Sequence, residues 1–252
     1  MTQTQLLSVV VPAYNEEKIL PSTIKTLTAS LEELKESGVI GDYELLLVND
    51  GSTDGTKEIL SEAERGEPGR IRALGYDQNR GKGCAVRTGV VASRGDLVLY
   101  TDSDLAYGTE FIRDAVKKAE ETGADFVIGS RAIHPDGYAG YTGIRKIASK
   151  MYLRFLSVAA GFSHSDSQCG FKLLRGEMGR PVFACCQTDG FAFDFEVLLR
   201  AEKKGLRIEE LPVCVINHRE SKIHLIRDSV RMLKDIYRIK KTINKETAKE
   251  KE

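Results

Sequence analysis

The chain has 252 residues, 41% hydrophobic, 29% charged and 7% aromatic, which excludes wholesale disorder and collagen-like repeats and suits one large α/β domain or two small ones. Its 37 Lys and Arg balance 37 Asp and Glu, so no basic excess points to a nucleic-acid partner. The apolar runs fall far short of the ~18 residues a membrane span needs, the first five residues lack a signal peptide's layout, and five cysteines without CxxC spacing argue against a disulfide framework or structural zinc. The expectation is a reduced, cytoplasmic protein.

Residues 6–11 (LLSVVV) are a continuous β-branched run, predicted as a strand buried on both faces and stopped by Pro12. A helix follows, with Pro21 near its first turn and Ile24, Leu27, Leu31 and Leu34 at three-and-four spacing; Gly38 and Gly41 end it. Residues 44–48 (ELLLV) are a second strand, 49–55 (NDGSTDG) a turn cluster, 56–63 a helix and 71–75 a third strand. After 79–83 (NRGKG) a helix runs to about Ser93. A fourth strand covers 97–101 (LVLYT), a helix 110–122, and a fifth strand 125–129 (DFVIG). This alternation predicts a mainly parallel, doubly wound sheet with helices on both faces, whose ligands bind beyond the carboxyl ends of the strands. The second half is more mixed. It holds a Gly/Tyr-rich loop at 135–143 with a lid's composition, basic amphipathic helices at 144–160 and 223–243, a helix at 193–204 and a strand at 208–215. A single domain over 1–243 is expected, with 244–252 as a disordered tail.

Asp102-Ser103-Asp104 follows the buried strand LVLYT. In extended chain, residues i and i+2 share a face. Two carboxylates there repel unless a cation lies between them, which suits Mg²⁺ or Mn²⁺; a solvated strand end with helix-capping aspartates is the plainer reading. The 49–55 cluster is a turn by composition, and Asp50 at the strand end could accept hydrogen bonds from a base or ribose. The NRGKG segment opens a helix, so its N–H groups and Lys82 could meet an anion. It is neither a Walker A loop nor, with Val86 at the third Gly position, a GxGxxG fingerprint. The four histidines form no HExxH, residues 161–165 (GFSHS) lack the last glycine of a nucleophile elbow, and Cys185-Cys186 read as small core residues. Between Arg219 and Lys241, eight basic residues stand against three acidic ones, 8 − 3 = +5 in a neutral chain. With Ile226, Val230, Leu233, Ile236 and Tyr237 at helical spacing, this suits an anionic membrane surface as well as an ordinary surface helix.

In order, Val11-Pro12-Ala13-Tyr14-Asn15-Glu16, Val48-Asn49-Asp50-Gly51-Ser52-Thr53-Asp54, NRGKG, Asp102-Ser103-Asp104 and Gly129-Ser130-Arg131 resemble the motifs of family 2 glycosyltransferases of GT-A fold. Asp166-Ser167-Gln168-Cys169-Gly170-Phe171-Lys172 resembles the glucosyl-transferring members of that family's polyprenyl-phosphate branch. The resemblance implies a GT-A, Rossmann-like sheet plus a basic amphipathic C-terminal helix. It implies that Pro12, Tyr14, Glu16, Val48 and Asp50 hold the base and ribose of a nucleotide-sugar, with Lys82, Asp102 and Ser103 also on the donor side. Asp102 and Asp104 would place Mg²⁺ or Mn²⁺ on the diphosphate. Arg131, Arg145 and Ser149 would grip an acceptor phosphate, and Arg219 would approach the diphosphate, so Asp104, Arg131 and Arg219 are the expected catalytic residues. The DxDxQ pattern of mannosyl-transferring relatives reads Asp102-Ser103-Asp104-Leu105-Ala106 here; their Gln metal ligand is absent, which favours the glucosyl type.

The implied activity is inverting, metal-dependent transfer of glucose from UDP-glucose to a polyprenyl phosphate, by a protein held peripherally on the cytoplasmic face of an anionic membrane. A departing diphosphate needs a Lewis acid and cations. A phosphate monoester, with a second pKa of ~6, is already a dianion and needs arginines but no base. Mannosyl transfer from GDP-mannose is one alternative. Transfer to a hydroxyl of a glycan or protein is another; it needs a base, for which Asp194 or Glu196 could serve. A membrane-docking module without catalysis is disfavoured by intact Asp102, Asp104 and Arg131. Sugar nucleotidyl transfer is disfavoured by the lack of a Gly-rich basic loop after the first strand.

Overall fold

The computed structural model describes residues 5–138, 143, 164–217 and 225–249. Its strands are β1 (Leu6–Ala13), β2 (Asp42–Asp50), β3 (Ile71–Tyr76), β4 (Leu97–Tyr100), β5 (Phe126–Ser130), β6 (Lys172–Arg175) and β7 (Ile208–Pro212), in one sheet of order β3-β2-β1-β4-β6-β5-β7. Neighbours pair in parallel except at β6, which lies antiparallel between β4 and β5. The helices are α1 (Leu20–Glu36), α2 (Thr56–Gly66), α3 (Lys82–Ala92), α4 (Glu110–Thr122), α5 (Gly176–Cys185), α6 (Phe193–Lys203) and α7 (Leu225–Lys249).

The strands are continuous apolar runs because helices cover both faces. Leu7, Val9 and Val11 point to one side, where they pack with Leu27 and Leu31 of α1 and Ile112 and Val116 of α4. Val10, Leu46 and Val98 point to the other, among Val86 and Val90 of α3, Phe183 of α5, Leu198 of α6 and Ile239 of α7. Ser8 interrupts the first run, yet it is buried and donates to Glu44 Oε1 at 2.6 Å, so no hydroxyl is orphaned.

Several elements depart from the expected ones for identifiable reasons. Pro12 does not stop β1, which continues to Ala13 in register with Asn49 of β2. β4 pairs with β1 only as far as Val10, whose carbonyl accepts the Thr101 N–H, so the N–H that Pro12 lacks would face the space past the end of β4. β6 and α5 carry little local signal. The strand is four residues with a fully buried lysine at its head, and the helix contains Pro181. Gly179 lets α5 lie tight on β6, because a Cβ there would stand 1.7 Å from Leu174 Cδ1.

α7 runs to Lys249, so the expected disordered tail is helical through that residue. Ile236, Ile239 and Ile243 are buried, and Glu246 accepts from Arg200 of α6 at 2.7 Å, which anchors the last turns. Ile236 therefore belongs to the core. Cys186 is buried as expected but Cys185 is exposed, and all five cysteines are free. The helix expected at 144–160 lies outside the described residues, as do 139–142 of the lid-like loop and residues 218–224. No helix among the described residues is long and apolar enough to cross a membrane.

If α7 packs through its isoleucine stripe, Ile239→Ala should cost about 2–5 kcal/mol in urea denaturation. Tyr237→Ala, at a position 71% exposed, should cost under about 0.5 kcal/mol. Equal, small losses would mean that the helix is not docked on the sheet in this way.

Candidate active site

The polar clusters converge at the carboxyl ends of β1, β2, β4 and β5. Beyond β1, Asn15 takes a left-handed conformation (φ 53°), held by the Ser52 hydroxyl oxygen on its N–H (3.0 Å) and by the Thr53 N–H on its side-chain oxygen (2.9 Å). This turn leaves Tyr14 exposed on the rim, while the Glu16 N–H donates to Thr56 Oγ1 at 2.9 Å. Pro12 and Val48 lie side by side in the β1–β2 register. The Val48 side chain is fully buried under α3, so only its main chain can face a ligand.

Asp50 is engaged on both oxygens. Oδ1 accepts from the Tyr76 hydroxyl (2.7 Å) and from the N–H groups of Arg80 (2.9 Å) and Gly81 (3.1 Å); Oδ2 accepts from the Asn79 amide (2.9 Å) and Gly81 (3.0 Å). It straps the NRGKG segment onto β2. Burial and the Asp50 contact push the Tyr76 phenol far up, keeping it a donor. Past Lys82, the N–H groups of Gly83 and Cys84 donate to the Asp189 carbonyl at 2.8 and 3.3 Å. The main-chain donors of Arg80, Gly81, Gly83 and Cys84 are thus used internally, which leaves the Lys82 side chain as the charged group the segment can turn to an anion.

Lys82 pairs with Asp102 Oδ1. Burial opposes its charge, but Asp102, Asp194 and Asp104 outweigh that and raise its pKa. Beyond Asp102 the chain turns sharply. Thr23 Oγ1 donates to the carbonyl of buried Ser103 (2.6 Å), the Ala106 N–H donates to Asp104 Oδ1 (3.1 Å), and Leu105 sits at φ 48°. A left-handed leucine costs of order 1–2 kcal/mol. The Asn217 amide holds it by donating to the carbonyls of Leu105 (2.9 Å) and Asp104 (3.3 Å).

On the other flank Arg131 forms a two-pronged pair with fully buried Asp166, Nε to Oδ2 at 2.6 Å and Nη2 to Oδ1 at 2.9 Å. Nη1 is the nitrogen outside that fork. Four residues on from Asp166, Gly170 abuts Asp102: a Cβ there would lie 2.2 Å from Asp102 Oδ2. Lys172 Nζ, buried, donates to Asp194 Oδ1 (2.6 Å) and to the Cys169 carbonyl (2.5 Å). Burial and Asp166 push the Cys169 thiol up to about 11, so it stays protonated at neutral pH. The 166–172 segment thus joins the two flanks, a role its residues do not betray in sequence because their partners, Arg131, Asp102 and Asp194, are far away in the chain. Arg145, Ser149 and Arg219 lie outside the described residues.

Asp102 and Asp104 offer the hard oxygen donors a divalent cation takes, and the Lys82 ammonium already stands on Asp102 as a cation would. The described residues bring no cluster of three His, Cys, Asp or Glu together, so further coordination would come from substrate and water, the usual manner of Mg²⁺. The residues present fit such an ion.

Residues 8–183 match the family described as Glycosyl transferase family 2. The chain belongs to that family. It is 36% identical over 242 residues to a dolichyl-phosphate beta-glucosyltransferase of Dictyostelium discoideum, spanning 93% of this chain and 73% of the relative. To the Saccharomyces cerevisiae protein of the same name it is 33% identical, over 91% of this chain and 72% of the relative. Of a Trichomonas vaginalis relative, 34% identical, it spans 62%. Glucosyl-3-phosphoglycerate synthase from Mycobacterium tuberculosis, solved with Mn²⁺, UDP and glucosyl-3-phosphoglycerate, shares the fold at TM-score 0.66 and 21% identity, covering 92% of this chain and 78% of that one. The fold is that of the GT-A glycosyltransferases, as the motifs implied.

Within this family 2 site, Gly170→Ala should push Asp102 aside. Misplacement on the ångström scale can cost roughly 10²-fold in turnover, and a loss of that order in glycosyl transfer, with the thermal midpoint little changed, is expected. Wild-type transfer by Gly170→Ala would show that Asp102 is not confined by this loop.

Proposed function

We propose that this family 2 chain transfers glucose, with inversion, from UDP-glucose to a polyprenyl phosphate of the dolichyl type. The observation that carries the choice of acceptor is the state of Asp194 and Glu196, the carboxylates that the sequence offers as a base. Asp194 is bound to Lys172 and to the Tyr100 hydroxyl (2.7 Å). Glu196 accepts from the Thr188 N–H (2.7 Å) and from Arg200 Nε (2.9 Å). A carboxylate in a buried ion pair gives up that pair to take a proton, which a hydroxyl acceptor would require. A phosphate acceptor is already an anionic nucleophile. The names of the curated relatives support the same acceptor and sugar.

In this reading Pro12, Tyr14 and Glu16 line the base and ribose, and Asp50 serves them by fixing the NRGKG segment. Lys82, Asp102 and Ser103 border the diphosphate. Asp102 and Asp104 would hold a divalent cation, which would supply Lewis-acid stabilisation of the charge on the leaving diphosphate. Arg131 turns Nη1 to the acceptor phosphate, oriented by Asp166, with Arg145 and Ser149 beside it and Arg219 on the donor side. Attack on the anomeric carbon from the face opposite the diphosphate inverts it. Chelation by EDTA should abolish transfer, and Asp104→Asn should lower it at least ~10²-fold, the scale of losing a key electrostatic group. Transfer to a short polyprenyl phosphate that survives EDTA sinks the metal role. Faster transfer to a soluble hydroxyl acceptor sinks the phosphate acceptor.

The lipid acceptor requires docking at a membrane surface, and α7 supplies a candidate face. With Ile236, Ile239 and Ile243 turned inward, Lys234, Tyr237, Arg238, Lys241 and Lys245 are exposed on the opposite side at helical spacing. Each basic residue near an anionic surface contributes about 1 kcal/mol, screened by salt. Replacing Lys234, Arg238 and Lys241 with Gln should therefore weaken binding to phosphatidylserine vesicles by roughly 10²-fold at low salt. Cosedimentation independent of anionic lipid would remove α7 from this role.

A further inference from the structure

Gln168 lies in the 166–172 segment, but its side chain serves neither flank. Asp166 grips Arg131, Gly170 makes room for Asp102, and Lys172 neutralises Asp194. The Gln168 main-chain N–H donates to Asp166 Oδ1 at 3.2 Å, but its side-chain Nε2 is buried without a hydrogen-bond partner. A buried amide nitrogen left unpaired is destabilising, and native proteins keep few of them, each for a reason such as strain, a catalytic or binding role, or a bound water or ion.

The position of Gln168 narrows what that is. In sequence it stands midway between Asp166, under the arginine assigned to the acceptor phosphate, and Gly170, against the carboxylate assigned to the donor diphosphate. Single displacement requires the anomeric carbon to lie between leaving and attacking oxygens, so the transferred sugar occupies the space between those two charged groups. A neutral amide suits that middle ground. A hydroxyl accepts from the amide nitrogen and donates to the amide oxygen, so either orientation of the group serves, whereas a phosphate is served better by the cations on either side.

We propose that Gln168 binds a hydroxyl of the transferred hexose and is a specificity-determining residue for the sugar. This rests on the donor and acceptor assignment of the preceding section.

The test uses Gln168→Met, which keeps length and removes both polar atoms. Its thermal midpoint should equal or exceed that of the wild type, since an unpaired buried amide is lost. Affinity for UDP by calorimetry should be unchanged, while the extra affinity of UDP-glucose over UDP disappears. Transfer from UDP-glucose to polyprenyl phosphate should fall about tenfold or more in kcat/KM. With the 2-, 3-, 4- and 6-deoxyglucose analogues of UDP-glucose, the wild type should discriminate against the analogue lacking the bound hydroxyl, and Gln168→Met should not. Equal loss on every donor, weakened UDP binding, or undiminished discrimination would overturn the proposal while leaving the glucosyl-transfer reading intact. If the wild type binds UDP but gains nothing from the glucosyl group, the sugar assignment falls with it. If it fails to bind either nucleotide, the donor reading itself is wrong, and the role of Gln168 fails for that separate reason.

Discussion

A lysine ammonium sealed inside the sheet is the constraint on which the site depends. Lys172 is fully buried at the head of β6, bound to Asp194 and the Cys169 carbonyl and 5.4 Å from the centroid of the Tyr100 ring. A charge survives there only with such partners, and deleting one member of a buried pair costs about 3–5 kcal/mol. Because the Cys169 carbonyl is one of the partners, the same contact pins the loop running back to Asp166. That pinning sets Gly170 against Asp102 and Asp166 beneath Arg131, and the charge of Asp194 reaches Lys82. The proposed donor and acceptor flanks are therefore joined by a single ion pair lying under both.

The arrangement also resolves an electrostatic difficulty. A site proposed for two anionic substrates is built around five aspartates, Asp50, Asp102, Asp104, Asp166 and Asp194. Four of them are neutralised within the chain, by main-chain and amide donors at Asp50, by Lys82 at Asp102, by Arg131 at Asp166 and by Lys172 at Asp194. Each carboxylate fixes a cation, or the loop that carries one, so what the proposed phosphates would meet is the oriented charge of Lys82 and Arg131. This is how a chain of zero formal net charge can receive anions without a basic surface overall. It also explains why acidic residues are dense where a simple charge count would place only basic ones.

Much of this was legible in the sequence, and the rest was not for physical reasons. The strands of the first half are long, apolar and punctuated by turn residues, so periodicity located them and the α/β alternation gave their parallel order. The carboxyl-end clusters could be placed because strand direction determines where they lie. β6 was invisible because its four residues contain a charge that only tertiary partners explain, and α5 because Pro181 and its glycines argue against helix locally. The family resemblance found the DSQCGFK segment but could not say what its members touch, since contacts over intervals such as Gly170 to Asp102 leave no periodic trace. Asp50 shows the opposite limit. Its place at the strand end was evident, but its saturation by Tyr76, Asn79, Arg80 and Gly81 could be known only from coordinates.

The local rules are broken where the sheet opens toward the proposed substrates. Leu105 and Asn15 are the non-glycine residues with positive φ among those described, and they flank the acidic turn and the β1 rim. Among the described residues, Thr101, directly before Asp102, has a buried hydroxyl without a partner and Gln168 an amide nitrogen, as do side-chain oxygens of Gln5 and Thr28 away from the acidic turn. Inside the sheet the opposite holds: Ser8 is satisfied by Glu44 and Lys172 by Asp194. Backbone strain of this kind gathers at functional sites, where well-packed neighbours hold it in place. The stability of the paired interior is what lets the edge hold it.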